Sequence, residues 1–261
     1  MRFLNRTDVS PVLFRNVKII KANLANLAIV LHKPRYPENI GAAARCALNM
    51  GISKIVAVSP ANPDREKMLK MATHEAASLI ENMEFYDNLA AALAPFQYVA
   101  GTTARLGRHR QALETPRELA GRIVDLSQNN RVALLFGPEN TGLSNEDLKY
   151  CHIVTTIPTA NFASLNLAQA VMIVCYEILM ARMEATSRDR ITPHLATSAE
   201  LEGMYADLQE ALLTIGFLKS GEQEYGLNQV RVFLSRVKLL SRETQLIRGL
   251  CRQLKWFKKN S

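Results

Sequence analysis

"LLFGPENTGLS", residues 134–144, opens as an apolar run and breaks into a loop with glycines at positions 137 and 142. That change of pattern reads as a buried strand delivering a loop at its carboxyl end. The two glycines are spaced as in a phosphate-binding P-loop, but that motif continues with Lys and then Ser or Thr. Here Leu143 and Ser144 follow. Without the lysine there is no point charge to meet a β- or γ-phosphate. The loop is therefore read as serving some ligand other than a nucleoside triphosphate.

The same alternation extends outward in both directions. "LAIVL" (27–31), "KIVAVSP" (54–60), "QYVAGTTA" (97–104), "RVALLFG" (131–137) and "IVTTIP" (153–158) read as strands. Helical patterns fall between them: "NIGAAARCALNMG" (39–51, closed by Gly51), 64–82, 87–94 and a long one over 164–184. Near-continuous apolar strands alternating with helices predict an α/β parallel sheet with helices on both faces. Ligands in such sheets bind at the carboxyl ends of the strands. The loops after Leu31, Gly101, Phe136 and Ile157 are thus the places to look for a site.

Composition narrows the class. The chain has 261 residues, 48% hydrophobic, and a formal net charge of +8. Its length suits one large domain, or one domain with a small companion. The longest apolar stretch, near Leu165–Ala181, is interrupted by Gln169 and Glu177, so it reads as a buried helix rather than a membrane span. No secretory signal is apparent. The four cysteines, at 46, 151, 175 and 251, form no CxxC pair. That spacing fits a reducing cytoplasm and no metal site. The positive charge points either to an anionic partner or simply to solubility. From Phe217 onward there are ten Lys or Arg and three Asp or Glu, so nearly all of the excess can be assigned to the tail.

Four segments follow from these patterns: a basic arm over 1–24, a sheet domain over 25–184, a Ser/Thr/Pro-bearing linker over 185–198, and a helical extension over 199–261. In the extension, helices are predicted to about Gly216, over 225–240 and over 242–258. The last carries an apolar stripe of Leu246, Ile247, Leu250, Leu254 and Phe257. Its basic residues Arg248, Arg252, Lys255 and Lys259 fall on another face.

No GxGxxG follows the first strand, which excludes a Rossmann dinucleotide fingerprint. The strand ends nevertheless collect polar groups. The first loop delivers Asn39, and its helix carries Arg45 beside Gly41 and Ala42; Arg45 is either a ligand contact or a solvated surface charge. Glu139 is either functional or an exposed loop acid. Ser164 sits where an N-cap belongs, and Asn166 falls in the first helical turn.

"ENIGAAAR", "LLFGPENTGLS" and "TIPTANFASLNLAQAV" together resemble the three motifs of the SpoU-type branch of the SPOUT RNA methyltransferases, in the same order and with matching separations over about residues 27–184. The tail, with "TIGFLKSGEQEYGLNQVRVFLSR" and then "ETQLIRGL", is similar to the helical extension of the TrmJ-like tRNA 2′-O-methyltransferases. The arm of residues 1–24 is outside that pattern. The resemblance implies a sheet whose C-terminal part threads into a deep trefoil knot, a rare chain topology. It implies binding of S-adenosylmethionine in that knot, a homodimer, and tRNA as partner, with neither membrane nor metal. The absence of the P-loop lysine then agrees with a cationic cofactor.

Carried over by motif, the cofactor pocket takes Thr102, Thr103, Ala104, Gly137, Ile157, Ala163, Ser164 and Leu165. The expected catalytic set is Asn39, Arg45, Glu139, Ser164 and Asn166. Arg45, Arg231, Lys238, Arg248, Arg252 and Lys255 are expected to meet RNA phosphates. The activity implied is 2′-O-methylation of a cytidine or uridine at position 32 of the tRNA anticodon loop. The alternatives are another tRNA or rRNA site, or a non-catalytic RNA-binding protein on the same fold. The extension is read as gripping tRNA, or else as a dimer-stabilising appendage.

Overall fold

The computed structural model describes residues 22–104, 113–161, 164–184, 192–218 and 223–260. Most of the expected basic arm, the first half of the expected linker, and Ala163 lie outside the described residues.

Side chains of alternating strand residues fall into two cores. On β1 (Leu27–His32), Leu27, Ile29 and Leu31 enter one core, while Ala28 and Val30 enter the other. β6 (Val132–Phe136) divides in the same way, with Val132, Leu134 and Phe136 on the first side and Ala133 and Leu135 on the second. A strand buried on both faces has no polar side to show, which is why these segments read as unbroken apolar runs. β2 (Ile55–Val58), β3 (Glu84–Tyr86), β4 (Tyr98–Thr102), β5 (Leu113–Glu114) and β7 (Ile153–Thr155) complete a seven-stranded sheet in the order β3-β2-β1-β6-β4-β7-β5. Every pairing is parallel.

Helices cover both faces. α1 (Pro37–Asn49), α2 (Arg65–Glu81), α4 (Pro116–Leu126) and α6 (Leu167–Glu184) enclose the larger core. α3 (Leu89–Leu93) and α5 (Asn145–Leu148) enclose the smaller one. Gly41 lets α1 approach α2, since a Cβ there would lie 2.0 Å from the Met68 carbonyl oxygen. α4 was not read from the sequence. Its signal is nevertheless present: Thr115 and Glu118 form a capping box, and Pro116 occupies the first turn.

Beyond the sheet, α7 (Ser198–Thr214), α8 (Gln223–Ser235) and α9 (Ser241–Lys259) form the extension. The chain leading into it is anchored. Leu195 pairs with Leu240 in an antiparallel bridge, and Asn130 Oδ1 accepts from the Leu195 amide at 2.8 Å. α9 is turned differently from what its periodicity alone invites. Leu246, Leu250, Leu254 and Phe257 are all exposed, while Thr244 and Cys251 are buried. α7 meets this face with Asp207 and Glu210, which pair with Arg248 and Lys255, each at 2.6 Å.

Candidate functional site

A cavity of about 390 Å³ opens at the carboxyl ends of β4, β6 and β7. Thr102, Thr103 and Ala104 line it from the end of β4, Gly137 to Gly142 from the loop after β6, and Ile157 from the segment after β7. Ser164, Leu165, Leu167 and Ala170 close it from the start of α6. Every described residue expected to hold the cofactor therefore lines one cavity, although these residues come from three separate stretches of chain.

Local chemistry explains the shape. The Gly142 amide donates to the Pro138 carbonyl at 2.8 Å, folding the loop back on itself. Gly137 is required by that fold: a Cβ there would stand 2.4 Å from the Leu143 nitrogen and 2.5 Å from the Gly142 carbonyl carbon. Thr102 Oγ1 donates to the Leu135 carbonyl at 3.2 Å, and the Thr103 amide donates to the Thr155 carbonyl at 2.9 Å, so the polar rim is fixed by the sheet. No Lys, Arg or His lines the cavity among the described residues, and one carboxylate, Glu139, does. Its volume falls in the usual range for small-ligand sites, and its charge favours a cation over a phosphate.

At its edge a chain of side-chain hydrogen bonds joins the three motifs. Glu139 Oε1 accepts from Asn39 Nδ2 at 2.8 Å, and Asn39 Oδ1 accepts from Asn166 Nδ2 at 2.8 Å. Glu139 Oε2 accepts from the Arg35 amide at 2.9 Å. Asn166 Oδ1 accepts from the Ala168 amide at 2.8 Å. Both ends of this relay are locked. An ionised carboxylate only accepts, and the amide at the start of α6 only donates, so each asparagine has one permitted orientation. Asn166, not Ser164, is thus the N-cap of α6. Ser164 lies three residues before the helix begins and is exposed to the cavity instead.

The structure does not bring Arg45 into this relay. It is exposed, near the middle of α1, and its side chain makes no ion pair or hydrogen bond with another described residue. The expected RNA contacts also divide. Arg231 forms a bidentate pair with Glu202 at 2.6 Å and stacks 4.2 Å from the Tyr205 ring, and its side chain is only 13% exposed. Arg248 and Lys255 are tied to α7 as described. Lys238 is exposed, and desolvation by its surroundings together with the charge of Arg122 lowers its pKa. Arg252 and Lys238 are the exposed members of this set in the extension. Spacing grouped the five cations, whereas the fold uses three of them to hold its helices together.

Sequence reasoning missed the Arg35 amide as a partner of Glu139, because a backbone donor leaves no mark on residue identity. Among the described residues no group of three or more His, Cys, Asp or Glu could hold a metal ion, and no helix is long and apolar enough to cross a membrane.

Comparison with known proteins identifies the family. Residues 26–176 match the model of the SpoU rRNA methylase family, and residues 199–261 match that of the tRNA methyltransferase TrmJ C-terminal domain. The tRNA (cytidine/uridine-2′-O-)-methyltransferase TrmJ of Citrobacter koseri is 33% identical over 87% of this chain and 95% of its own. The tRNA (cytidine/uridine/adenosine-2′-O-)-methyltransferase TrmJ of Pseudomonas aeruginosa is 34% identical over 87% and 93%. The crystal structure of TrmJ from Z. mobilis superposes with a TM-score of 0.75 at 30% identity, covering 87% of this chain and 98% of that one.

Proposed function

The chain belongs to the SpoU methylase family and carries a TrmJ C-terminal domain, and on that premise we propose that it transfers the methyl group of S-adenosylmethionine to a ribose 2′-hydroxyl of tRNA. The observation that carries this reading is the cavity bordered by the Glu139–Asn39–Asn166 relay, where a cation-favouring pocket meets a rigid polar edge.

The cofactor, when bound, supplies an electrophilic methyl on a sulfonium. Its demands fit the residues present: apolar Ile157, Leu165 and Leu167 for the base, backbone groups of 137–142 for the polar parts, and a carboxylate with no competing cation. The chain's own task is then to hold a weak nucleophile in line, because a 2′-hydroxyl attacks only as its proton is shared or removed. Positioning of that kind supplies several kcal/mol. Ser164 orients the ribose in this reading, supported by its exposure in the cavity. Asn39, Glu139 and Asn166 direct their hydrogen bonds to one another and to the backbone, so they act as positioning residues. A guanidinium offers donors and no acceptor, so Arg45 is poorly suited to take up the proton. Being exposed and unpaired, it suits a phosphate beside the target nucleotide better than base action.

The finer parts of the reading have separate supports. The target is a pyrimidine at position 32 of the anticodon loop, by likeness of motifs and extension. The trefoil knot is supported by the likeness of the three motifs to those of the family, in order and spacing. A homodimer is supported by the exposed Tyr176 and Met183 on α6. The outward apolar stripe of α9 favours, for the extension over 199–261, a share in that dimer alongside tRNA binding. Such an enzyme works in the cytoplasm, where tRNA is.

Mass mapping of 2′-O-methyl groups on total unmodified tRNA, incubated with protein and S-adenosylmethionine, tests the proposal. A new methyl at one ribose of the anticodon loop is expected. No methylation of any tRNA, in a preparation that binds the cofactor, would overturn it.

A further inference from the structure

The segment "KPRY", residues 33–36, joins β1 to α1, and no expectation assigned it a task. Its backbone is pinned at every residue. The Lys33 amide donates to the Val58 carbonyl at 2.7 Å, and the Pro34 carbonyl accepts from the Ala61 amide at 3.0 Å. The Arg35 amide donates to Glu139 at 2.9 Å, and the Tyr36 carbonyl accepts from the Asn39 amide at 3.0 Å. Lys33 is held at φ 50°, a left-handed conformation that costs a side-chain-bearing residue roughly 1–2 kcal/mol. A strained, fully anchored loop at a strand's carboxyl end is a place to look for function.

What the loop presents is specific. Pro34 is buried, while Lys33, Arg35 and Tyr36 are exposed, Tyr36 at 52%. The Arg35 guanidinium lies 5.8 Å from the Tyr36 ring centroid, within cation–π range. Neither Lys33 nor Arg35 has an ion-pair partner among the described residues. An aromatic face flanked by two free cations has the chemistry of a single-stranded RNA platform: bases stack on the ring or on the arginine plane while cations meet phosphates. The same loop is one hydrogen bond from Glu139, which lines the cavity.

Resting on the methyltransfer reading above, we propose that Tyr36, backed by Arg35, is the stacking platform for the base of the nucleotide whose ribose is methylated. Lys33 meets a neighbouring phosphate. The platform accounts for how a site built around a ribose hydroxyl holds an unpaired nucleotide in place: the base is clamped outside the cavity while the sugar faces in.

The test is a cycle between protein and RNA. Wild type, Tyr36→Ala and Tyr36→Phe are compared on a full-length tRNA, and on the same tRNA with an abasic ribose at the position found methylated. On intact tRNA, Tyr36→Ala should lower kcat/KM about 10- to 100-fold, the scale of one lost base stack, and Tyr36→Phe should stay near wild type. On abasic tRNA wild type should lose a similar factor, and Tyr36→Ala should lose little more. S-adenosylmethionine affinity and oligomeric state should be unchanged in both variants. Equal losses from Tyr36→Ala on both RNAs would overturn the proposal, as would full activity of that variant, or dissociation of the assembly by it. If wild type methylates no tRNA, the parent reading fails. If wild type is active and Tyr36→Ala matches it, the platform alone fails.

Discussion

Replacing Gly137 with alanine puts the smallest possible side chain where the cavity wall folds on itself. The added Cβ would lie 2.4 Å from the Leu143 nitrogen, 2.5 Å from the Gly142 carbonyl carbon and 3.0 Å from the Gly142 oxygen. Comfortable heavy-atom contacts sit near 3.5 Å, so the facing backbone must retreat by about 1 Å. It has little room to do so. Leu143 is 1% exposed and belongs to the smaller core, and the Gly142 amide is held by Pro138. Overpacking of this kind costs about 1–3 kcal/mol, seen as a fall in melting temperature of roughly 2–4 °C per kcal/mol for a chain this size. The larger effect falls on the ligand, since a displacement of about 1 Å in a binding constellation costs on the order of 100-fold. Calorimetric titration with S-adenosylmethionine, run well below the melting point, should record that loss. Gly142→Ala is the control. Its Cβ meets nothing within 4 Å, but φ is +62°, so it should lower stability through backbone strain and weaken the cofactor less. Wild-type affinity in Gly137→Ala would refute the close-approach argument.

Three other perturbations probe the site and the fold. Glu139→Gln replaces an acceptor-only group facing two donors with one that must point an NH₂ at one of them; leaving that donor unmet costs about 1–3 kcal/mol. Methylation kinetics should show kcat/KM down about 10- to 100-fold with the fold retained, and an unaffected rate would remove the relay from the mechanism. Arg45→Ala should abolish methyl transfer while calorimetry returns unchanged cofactor affinity; normal turnover would dismiss its phosphate role. Acid should destabilise the protein through His152, whose pKa burial holds down at about 4. An unfolded histidine titrates near 6.5. As pH falls from there towards 4, the unfolded chain takes up a proton that the native state refuses, and stability drops. The full difference is about 3 kcal/mol, and some remaining solvent contact brings the expectation to about 2 kcal/mol. Urea midpoints at pH 7.5 and 4.5 should converge in His152→Asn, which keeps an acceptor for the Val99 amide now bonded to Nδ1 at 3.1 Å. An undiminished slope in that variant would assign the acid sensitivity elsewhere.

The sheet was legible because strands buried on both faces have no alternative but continuous apolar sequence, and Leu27–Leu31 and Val132–Phe136 are nearly that alone. The edge that holds the cavity was legible for a related reason, since the ends of parallel strands emerge on one side, whereas Thr102, Gly137 and Ile157 as its lining came from the likeness of motifs. Contacts decided by the fold were not legible. Asn39 and Asn166 are 127 residues apart, and nothing in either residue names the other. Ser164 and Asn166 are both good capping residues, and only the helix start at Leu167 chooses between them. Periodicity has the same blind spot on α9. It locates an apolar stripe and a basic one but cannot say which turns inward, because that depends on acids of α7 that lie 41 and 45 residues away. Two cations, Arg248 and Lys255, face the neighbouring helix, while Leu246, Leu250 and Leu254 face out. Formal charge is therefore a poor measure of what the extension offers RNA. Arg231, Arg248 and Lys255 are neutralised in place, and on the proposed function tRNA would be met by cations the fold leaves exposed, among them Lys238, Arg242, Arg252, Lys258 and Lys259 in the extension and the Lys33–Arg35 pair beside the cavity. Those two groups lie on separate elements. An RNA held by both would have its backbone gripped at the extension and its target nucleotide presented at the sheet, which divides affinity from positioning in a way that total charge cannot.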